Sequence, residues 1–412
     1  MELSYKLKIV FIIIYFILIL SIERLYYDKL FKKSLEIIPK FQKASNSIDI
    51  FWKFMTFFGT KPGIGPIFLI VFLFIPLNKV FSLTFLILLT GYIDHTLKVV
   101  YRQERPLWMN DDIDTGTQHS CGYGNPSGHS LSSTCLYLSL WYILAEKIDT
   151  NISNKNISKI LKFIVLIILM IIIGIILSSR LYLGVHSLNQ IIFGCSLGLG
   201  IFLLFLPIMK IYNTTDEFLD NIYSNRYIFI FLNLVAIIFF YFFYFLREDI
   251  PGVQEKQNWK KMCLDQKWSK LLIKGSFFGG MSMFIILGMF IALLITKRKI
   301  DKEFYGKDEI IINWDKGKFK TRIIRILFML IGFILAGIIF LLNKFDISDI
   351  FFYISTPILF FCGGFLTFGP CLFYGFKFTL NKFGNNDIYS LAGDNNDNYI
   401  NNNVECSNEI FA

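Results

Sequence analysis

Read as a bare sequence, the 412-residue chain predicts an all-α fold, a polytopic membrane helix bundle of about nine or ten transmembrane helices. Composition is the first reason: 54% of residues are hydrophobic, 17% are aromatic and mean hydropathy is +0.55. Charged residues make up only 17%, where soluble domains carry about 25%. The second reason is the recurrence of long apolar runs. The third is that charge inside this hydrocarbon is concentrated in three short strings.

The runs lie near 9–22, 54–77, 79–97, 129–146, 160–178, 190–209, 227–246, 271–296, 323–343 and 349–374, most of them long enough to cross a bilayer. The first is short and follows Lys6 and Lys8, like the apolar part of a signal peptide. No small-x-small cleavage site follows it, since the sequence runs Ser21-Ile22-Glu23-Arg24, so an uncleaved anchor is expected. This divides the chain into an N-terminal hydrophobic anchor and luminal linker (1–49), a membrane domain (50–375) and an Asn-rich tail (376–412) expected to be disordered.

The formal charge of +10 would suit a nucleic-acid binder only if the spans were ignored. Lys and Arg lie mainly in the loops, as membrane-flanking charge does, and no nucleic-acid partner is expected. Seven cysteines are scattered without CxxC or metal-ligand spacing, so neither a metal site nor a disulfide framework is indicated. Cys121 and Cys263 fall in loops expected to face one compartment, which leaves a bridge between them open.

The three strings are Lys98-x6-Arg105-Pro106, Pro126-Ser127-Gly128-His129 and Ser179-Arg180-x5-His186. An uncompensated charge at membrane depth costs several kcal/mol, so such groups mark a functional site by default. The first string ends the third span, the second begins the fourth and the third follows the fifth, so alternation puts all three on one face. The basic segment 297–325, with Lys297, Arg298, Lys299, Lys318, Lys320 and Arg322, reads as cytoplasmic and places the strings on the opposite side. The sequons at Asn151, Asn156 and Asn213 then fall in cytoplasmic loops and should carry no glycan.

Each string has a chemical use and a plainer alternative. Lys98 and Arg105 are seven apart, two helical turns, and share a face if the helix persists, with Pro106 expected to end it at Arg105. Arg supplies a planar fork for phosphate oxygens and Lys a flexible point charge. Asn125-Pro126-Ser127-Gly128-His129 reads as a capped helix start whose free amides attract an anion, with Gly128 allowing close backbone approach. Arg180 would take a further oxygen, His186 could reach the phosphorus, and Gln190 lies four residues on, able to fix one ring nitrogen. Alone, each string also fits a snorkelling cation or an ordinary cap. Jointly, their order and side fit phosphoryl transfer. Asp94, one turn before Lys98, is a supporting candidate that also suits an ion pair with Lys98; His95, His119 and the run Asp111, Asp112, Asp114 receive no role.

These strings resemble the phosphatidic acid phosphatase type 2 superfamily, with its signature KxxxxxxRP…PSGH…SRxxxxxHxxxD. Gln190 stands where lipid phosphatases usually carry Asp, and this is similar to the glucose-6-phosphatase branch. So are Gly91…Lys98…Arg105-Pro106-Leu107-Trp108, Cys121-x-x-Gly124 and Glu255-Lys256-Gln257-Asn258-Trp259…Cys263…Trp268. The resemblance covers roughly residues 50–375, with the nine spans of that branch as the expectation. The hydrophobic N-terminus, the long tail and the closing Glu-Ile-Phe-Ala in place of a dilysine signal depart from it.

The resemblance implies a luminal phosphohydrolase of the endoplasmic reticulum that needs no metal or other cofactor and works through a phosphohistidine. His186 would be the nucleophile and His129 the general acid; Lys98, Arg105, Arg180, Ser127 and Gly128 would hold the phosphoryl oxygens, with Gln190 and Asp94 in support. Glucose 6-phosphate or a similar monoester is the expected substrate, the bilayer and a glucose-6-phosphate transporter the expected partners. A lipid-phosphate or polyprenyl-pyrophosphate phosphatase is the alternative. A non-enzymatic transporter is more remote, because runs 227–246 and 323–343 are almost uninterrupted hydrocarbon.

Overall fold

The computed structural model describes residues 2–60, 63–64, 75, 77–114, 120–211, 215–246, 259–260, 263, 275–304, 323–324, 327, 330 and 349–371. Every regular element among them is helical and none is a strand. Most of the expected spans at 323–343 and 54–77, the basic segment between 304 and 323, His119, Asn213 and the tail lie outside the described residues.

The chain divides into two compact units. The first comprises Met1–Phe68, Lys79–Tyr212 and Phe231–Met283 and carries all three strings. It opens with α1 (Glu2–Ala44) and α2 (Asp49–Phe57), joined by a 3-10 turn at Asn46–Ile48. Then come α3 (Leu77–Tyr101), the short α4 (Pro106–Met109), α5 (Gly128–Asn151), α6 (Lys155–Tyr182) and α7 (Leu188–Ile211).

The N-terminus differs from the sequence expectation. Residues 23–44, read as a linker, continue the helix of the anchor, so α1 is 43 residues long, about 65 Å at 1.5 Å per residue. Glu23, Phe31, Ser34 and Ile38 are buried at steps of eight, three and four, one face of a helix laid against the unit. The mixed polarity of this segment hid that face, because its outer positions are charged.

α6 shows why a bilayer must surround the molecule. Leu169, Ile173 and Ile176 face inward, while Ile160, Phe163, Ile164, Ile167, Ile168 and Ile171 are exposed hydrocarbon. A contiguous apolar surface of this kind is stable only against lipid. Among the described residues, four stretches are long and apolar enough to cross a membrane: Lys79–Met109, Lys155–Tyr182, Leu188–Leu206 and Arg226–Phe245. The chain is an integral membrane protein.

After α8 (Thr215–Ser224) come α9 (Arg226–Phe245), α10 (Gly275–Gly280), α11 (Ser282–Phe304) and α12 (Asp349–Leu366), the last running into a π turn at Thr367–Cys371. The second unit comprises Leu69–Asn78, Asn213–Ile230 and Phe284–Ala412. Within it α11 and α12 touch backbone to backbone: a Cβ on Gly288 would strike the Phe361 carbonyl, and one on Gly364 the Ile285 carbonyl. Small residues at such crossings let membrane helices approach closely.

Candidate active site

The three strings meet at one end of the first unit. Lys98 sits in the last turn of α3, which stops at Tyr101 rather than at Arg105. Arg102 takes a left-handed φ of 50° and breaks the helix there. Arg105 follows in extended backbone at φ −99° and ψ 147°, as Pro106 requires of its predecessor. The two cations therefore converge through a turn, not along one helical face.

Arg105 is 6% exposed, and its guanidinium is largely engaged by backbone. Nε donates to the Gly122 carbonyl at 2.6 Å, Nη1 to Val185 O at 2.7 Å and Nη2 to Tyr123 O at 3.1 Å. Nη1 also faces His186 Nε2 at 3.3 Å. Thus Arg105 joins the approach to Pro126 and the loop bearing His186, a larger structural part than the sequence assigned it.

Pro126, in a cis peptide bond with Asn125, precedes Ser127, the N-cap of α5. Ser127 Oγ accepts from Ser130 N at 3.4 Å and Ser130 Oγ at 2.8 Å, and Ser127 N donates to Gln190 O at 3.0 Å. Gly128 and the partly exposed His129 form the first turn of α5. A Cβ on Gly128 would lie 2.5 Å from Asp94 Oδ2, so only glycine lets this turn approach the Lys98–Asp94 pair. Lys98 Nζ donates to Asp94 Oδ2 at 2.8 Å, the ion pair foreseen as Asp94's plainer role, with His95 Nε2 at 3.6 Å from the same oxygen.

Arg180 lies in the last turn of α6, and its Nη1 donates to Thr56 Oγ1 of α2 at 2.6 Å, while its buried Nε has no hydrogen-bond partner among the described residues. The chain then turns at Gly184, φ 65°, whose carbonyl accepts from Leu107 N at 3.1 Å, and this returns Val185 and His186 toward Arg105. Beneath these loops Ile38, Leu107, Trp108, Ile113, Tyr123, Tyr182, Val185 and Trp259 form a shared apolar floor. A disulfide between Cys121 and Cys263, Cα atoms 5.6 Å apart, closes its edge.

His186 is 2% exposed, and its Nδ1 lies 3.2 Å from Gln190 Oε1. The amide can point only one way. Its Nε2 donates to Glu104 O at 2.7 Å and its Oε1 accepts from Ser187 N at 3.3 Å. The ring must then donate from Nδ1, which leaves the lone pair on Nε2, facing Arg105. Burial first, then Arg105, Arg180 and Lys98, hold this imidazole well below its ordinary pKa.

Lys98, Arg105 and Arg180 are each at most 7% exposed, and both histidines lie within electrostatic range of all three. Asp94 is ion-paired with Lys98. Such an excess of buried positive charge is stable beside an anion. Sequence reading missed Thr56, the partner of Arg180, and Gly59, where a Cβ would lie 2.8 Å from His129 Cδ2. No spacing signal links either residue to the strings.

With this geometry in view, comparison with known proteins finds a match for part of the chain. Residues 79–213 match the PAP2 superfamily. The matched segment runs from α3 to the end of α7 and includes all three strings. A curated relative, phosphatidylglycerophosphatase B of Bacillus subtilis (strain 168), is 33% identical over 86 residues, 21% of this chain and 39% of that protein. The match thus spans about two fifths of that relative's length. The crystal structure of a transmembrane PAP2-type phosphatidylglycerolphosphate phosphatase from Bacillus subtilis aligns at 23% identity with a TM-score of 0.39, covering 49% of this chain and 98% of that one.

Proposed function

We propose that this protein is a membrane phosphohydrolase that cleaves a lipid phosphate monoester through a phosphohistidine intermediate. The observation that carries the reading is the buried cluster of Lys98, Arg105 and Arg180 around a neutral His186 whose Nε2 faces Arg105, with Asp94 the one carboxylate ion-paired to these cations among the described residues. A phosphate dianion would match the remaining two positive charges.

In the reaction, the bound phosphate dianion neutralises the cations beside His129, which takes up a proton; His186 Nε2 then attacks phosphorus as the ester P–O bond breaks, and His129 gives that proton to the departing alkoxide. Water, deprotonated by His129, then cleaves the P–N bond and returns both histidines to their starting forms. Lys98, the free N–H groups of Arg180 and the α5 amides stabilise the equatorial oxygens, the main requirement of phosphoryl transfer. Gln190 keeps the proton on Nδ1 and so the lone pair on the attacking atom.

The lipid-phosphate reading draws on the similarity to phosphatidylglycerophosphatase B and on the exposed hydrocarbon of α6, whose last turn carries Arg180. The Cys121–Cys263 disulfide supports a site facing an oxidising, non-cytoplasmic compartment. A second reading, glucose 6-phosphate hydrolysis at the endoplasmic-reticulum lumen, is favoured by Gln190 at the signature's Asp position. Purified protein in excess EDTA, offered phosphatidic acid, phosphatidylglycerophosphate and glucose 6-phosphate, distinguishes the two. Faster release from a lipid is expected. Preference for the sugar phosphate selects the second reading, and full activity in His186→Ala removes the mechanism from both.

A further inference from the structure

We infer that Glu23, on α1 and outside the matched segment, is a positioning residue that holds the three strings in register; the inference rests on the proposed hydrolase reading. Glu23 is fully buried. Its Oε1 accepts from Gln103 Nε2 at 2.7 Å and from Asn125 Nδ2 at 2.9 Å, while Oε2 has no hydrogen-bond partner among the described residues.

Those two donors are the hubs of the site's framework. Gln103 lies two residues before Arg105, its backbone carbonyl accepts from Gly124 N at 2.8 Å, and its Oε1 accepts from Asn189 Nδ2 at 3.1 Å. Asn189 adjoins Gln190, and Asn125 adjoins Pro126 at the start of the second string. One carboxylate oxygen is therefore the node of a network that ties together the backbone just before Arg105, the approach to α5 and, through Asn189, the histidine loop. Further along α1, Ser34 Oγ accepts from Leu188 N at 2.9 Å, bracing the start of α7.

Packing alone does not account for an acid at this position. Among the described residues no cation pairs with Glu23; burying such a carboxylate is costly, and an apolar side chain would avoid that cost. What Leu could not supply is an acceptor shared by Gln103 and Asn125. Glu23 touches no reacting atom; it acts by setting the separation of Arg105, Ser127 and Gln190.

The test uses the full chain in lipid nanodiscs with three substitutions: Glu23→Leu, Glu23→Gln and Gln103→Leu. Turnover of a lipid phosphate and the melting-temperature shift induced by orthovanadate, a tetrahedral anion probe, are both measured. Glu23→Leu is expected to lose about 10²-fold in kcat, the scale of an ångström misplacement, with KM little changed. Glu23→Gln should rescue turnover, because both hydrogen bonds end on one oxygen that the amide retains. Gln103→Leu, which cuts the same node from its other side, should repeat the loss and serves if Glu23→Leu fails to fold. Wild-type kcat in a folded Leu variant overturns the inference, and so does a Gln variant as inactive as Leu. If wild-type protein hydrolyses none of the esters, the hydrolase reading fails, and the vanadate shift decides the role of Glu23 alone: a weaker shift in the Leu variants than in wild type and Glu23→Gln supports it, equal shifts refute it.

Discussion

Replacing Arg105 by lysine keeps the charge and removes the fork. The guanidinium spreads three donors over the carbonyls of Gly122, Tyr123 and Val185, each on a different nitrogen. An ammonium also carries three N–H groups, but they radiate from one nitrogen that cannot stand in all three places, so two of these donor contacts are lost. At about 1–3 kcal/mol for each unsatisfied group, the variant loses about 2–6 kcal/mol of local stability. That cost falls on the loops carrying Tyr123 and Val185, beside His129 and His186, so kcat is expected to fall by at least about 10²-fold through misplacement of the reacting groups. Turnover of the preferred ester and the melting temperature in detergent are the assays, with Lys98→Arg as a variant that also keeps charge. Arg105 thus has a geometric part as well as an electrostatic one. An Arg105→Lys variant that melts like wild type and stays within about threefold in kcat, under 1 kcal/mol of barrier, would refute it.

Three further outcomes follow from the same contacts. Gly128→Ala places a methyl 2.5 Å from Asp94 Oδ2, which pushes the carboxylate off Lys98; a loss of about tenfold or more in kcat/KM is expected, and unaltered kinetics would show that the turn has slack. His186 is held well below its usual 6.5 by burial and by three cations, so its attacking neutral form persists in mild acid and is lost as pH falls through the lowered pKa. Lys98→Met, by removing one cation, should move the acidic limb of kcat/KM upward; a limb that stays or moves down contradicts the assignment. Cys121→Ser opens a link between residues 142 apart in sequence and should cost about 2–5 kcal/mol, read as a lower melting temperature that reductant does not lower further.

The extent to which the site was readable depended on what held each residue in place. The histidines and cations could be singled out because a charge or imidazole in hydrocarbon needs a reason, and span counting could say that they share a face. How they meet was not readable. Lys98 and Arg105 at two-turn spacing suggested a common helical face, whereas Arg102 ends α3 early and the convergence is made by a turn. Thr56 at the end of α2 and Gly59 in the turn after it approach Arg180 and His129, and no local pattern announces a partner so far away in the chain. Glu23 was visible as a charge beside an apolar run, yet its meaning depends on Gln103 and Asn125, which lie 80 and 102 residues away.

By itself, the sequence determined the helical membrane class, the shared face of the three strings and the chemistry they could perform. Hydropathy, span parity and the intrinsic properties of Lys, Arg and His act locally or through counting, so one dimension suffices for them. The tertiary structure decided which nitrogen of His186 carries the proton, which donors of Arg105 are already committed to carbonyls, and that α1 braces the whole arrangement. Those are matters of ångströms between residues remote in sequence. Hydrogen bonds switch on and off over such distances, and no spacing along the chain encodes them.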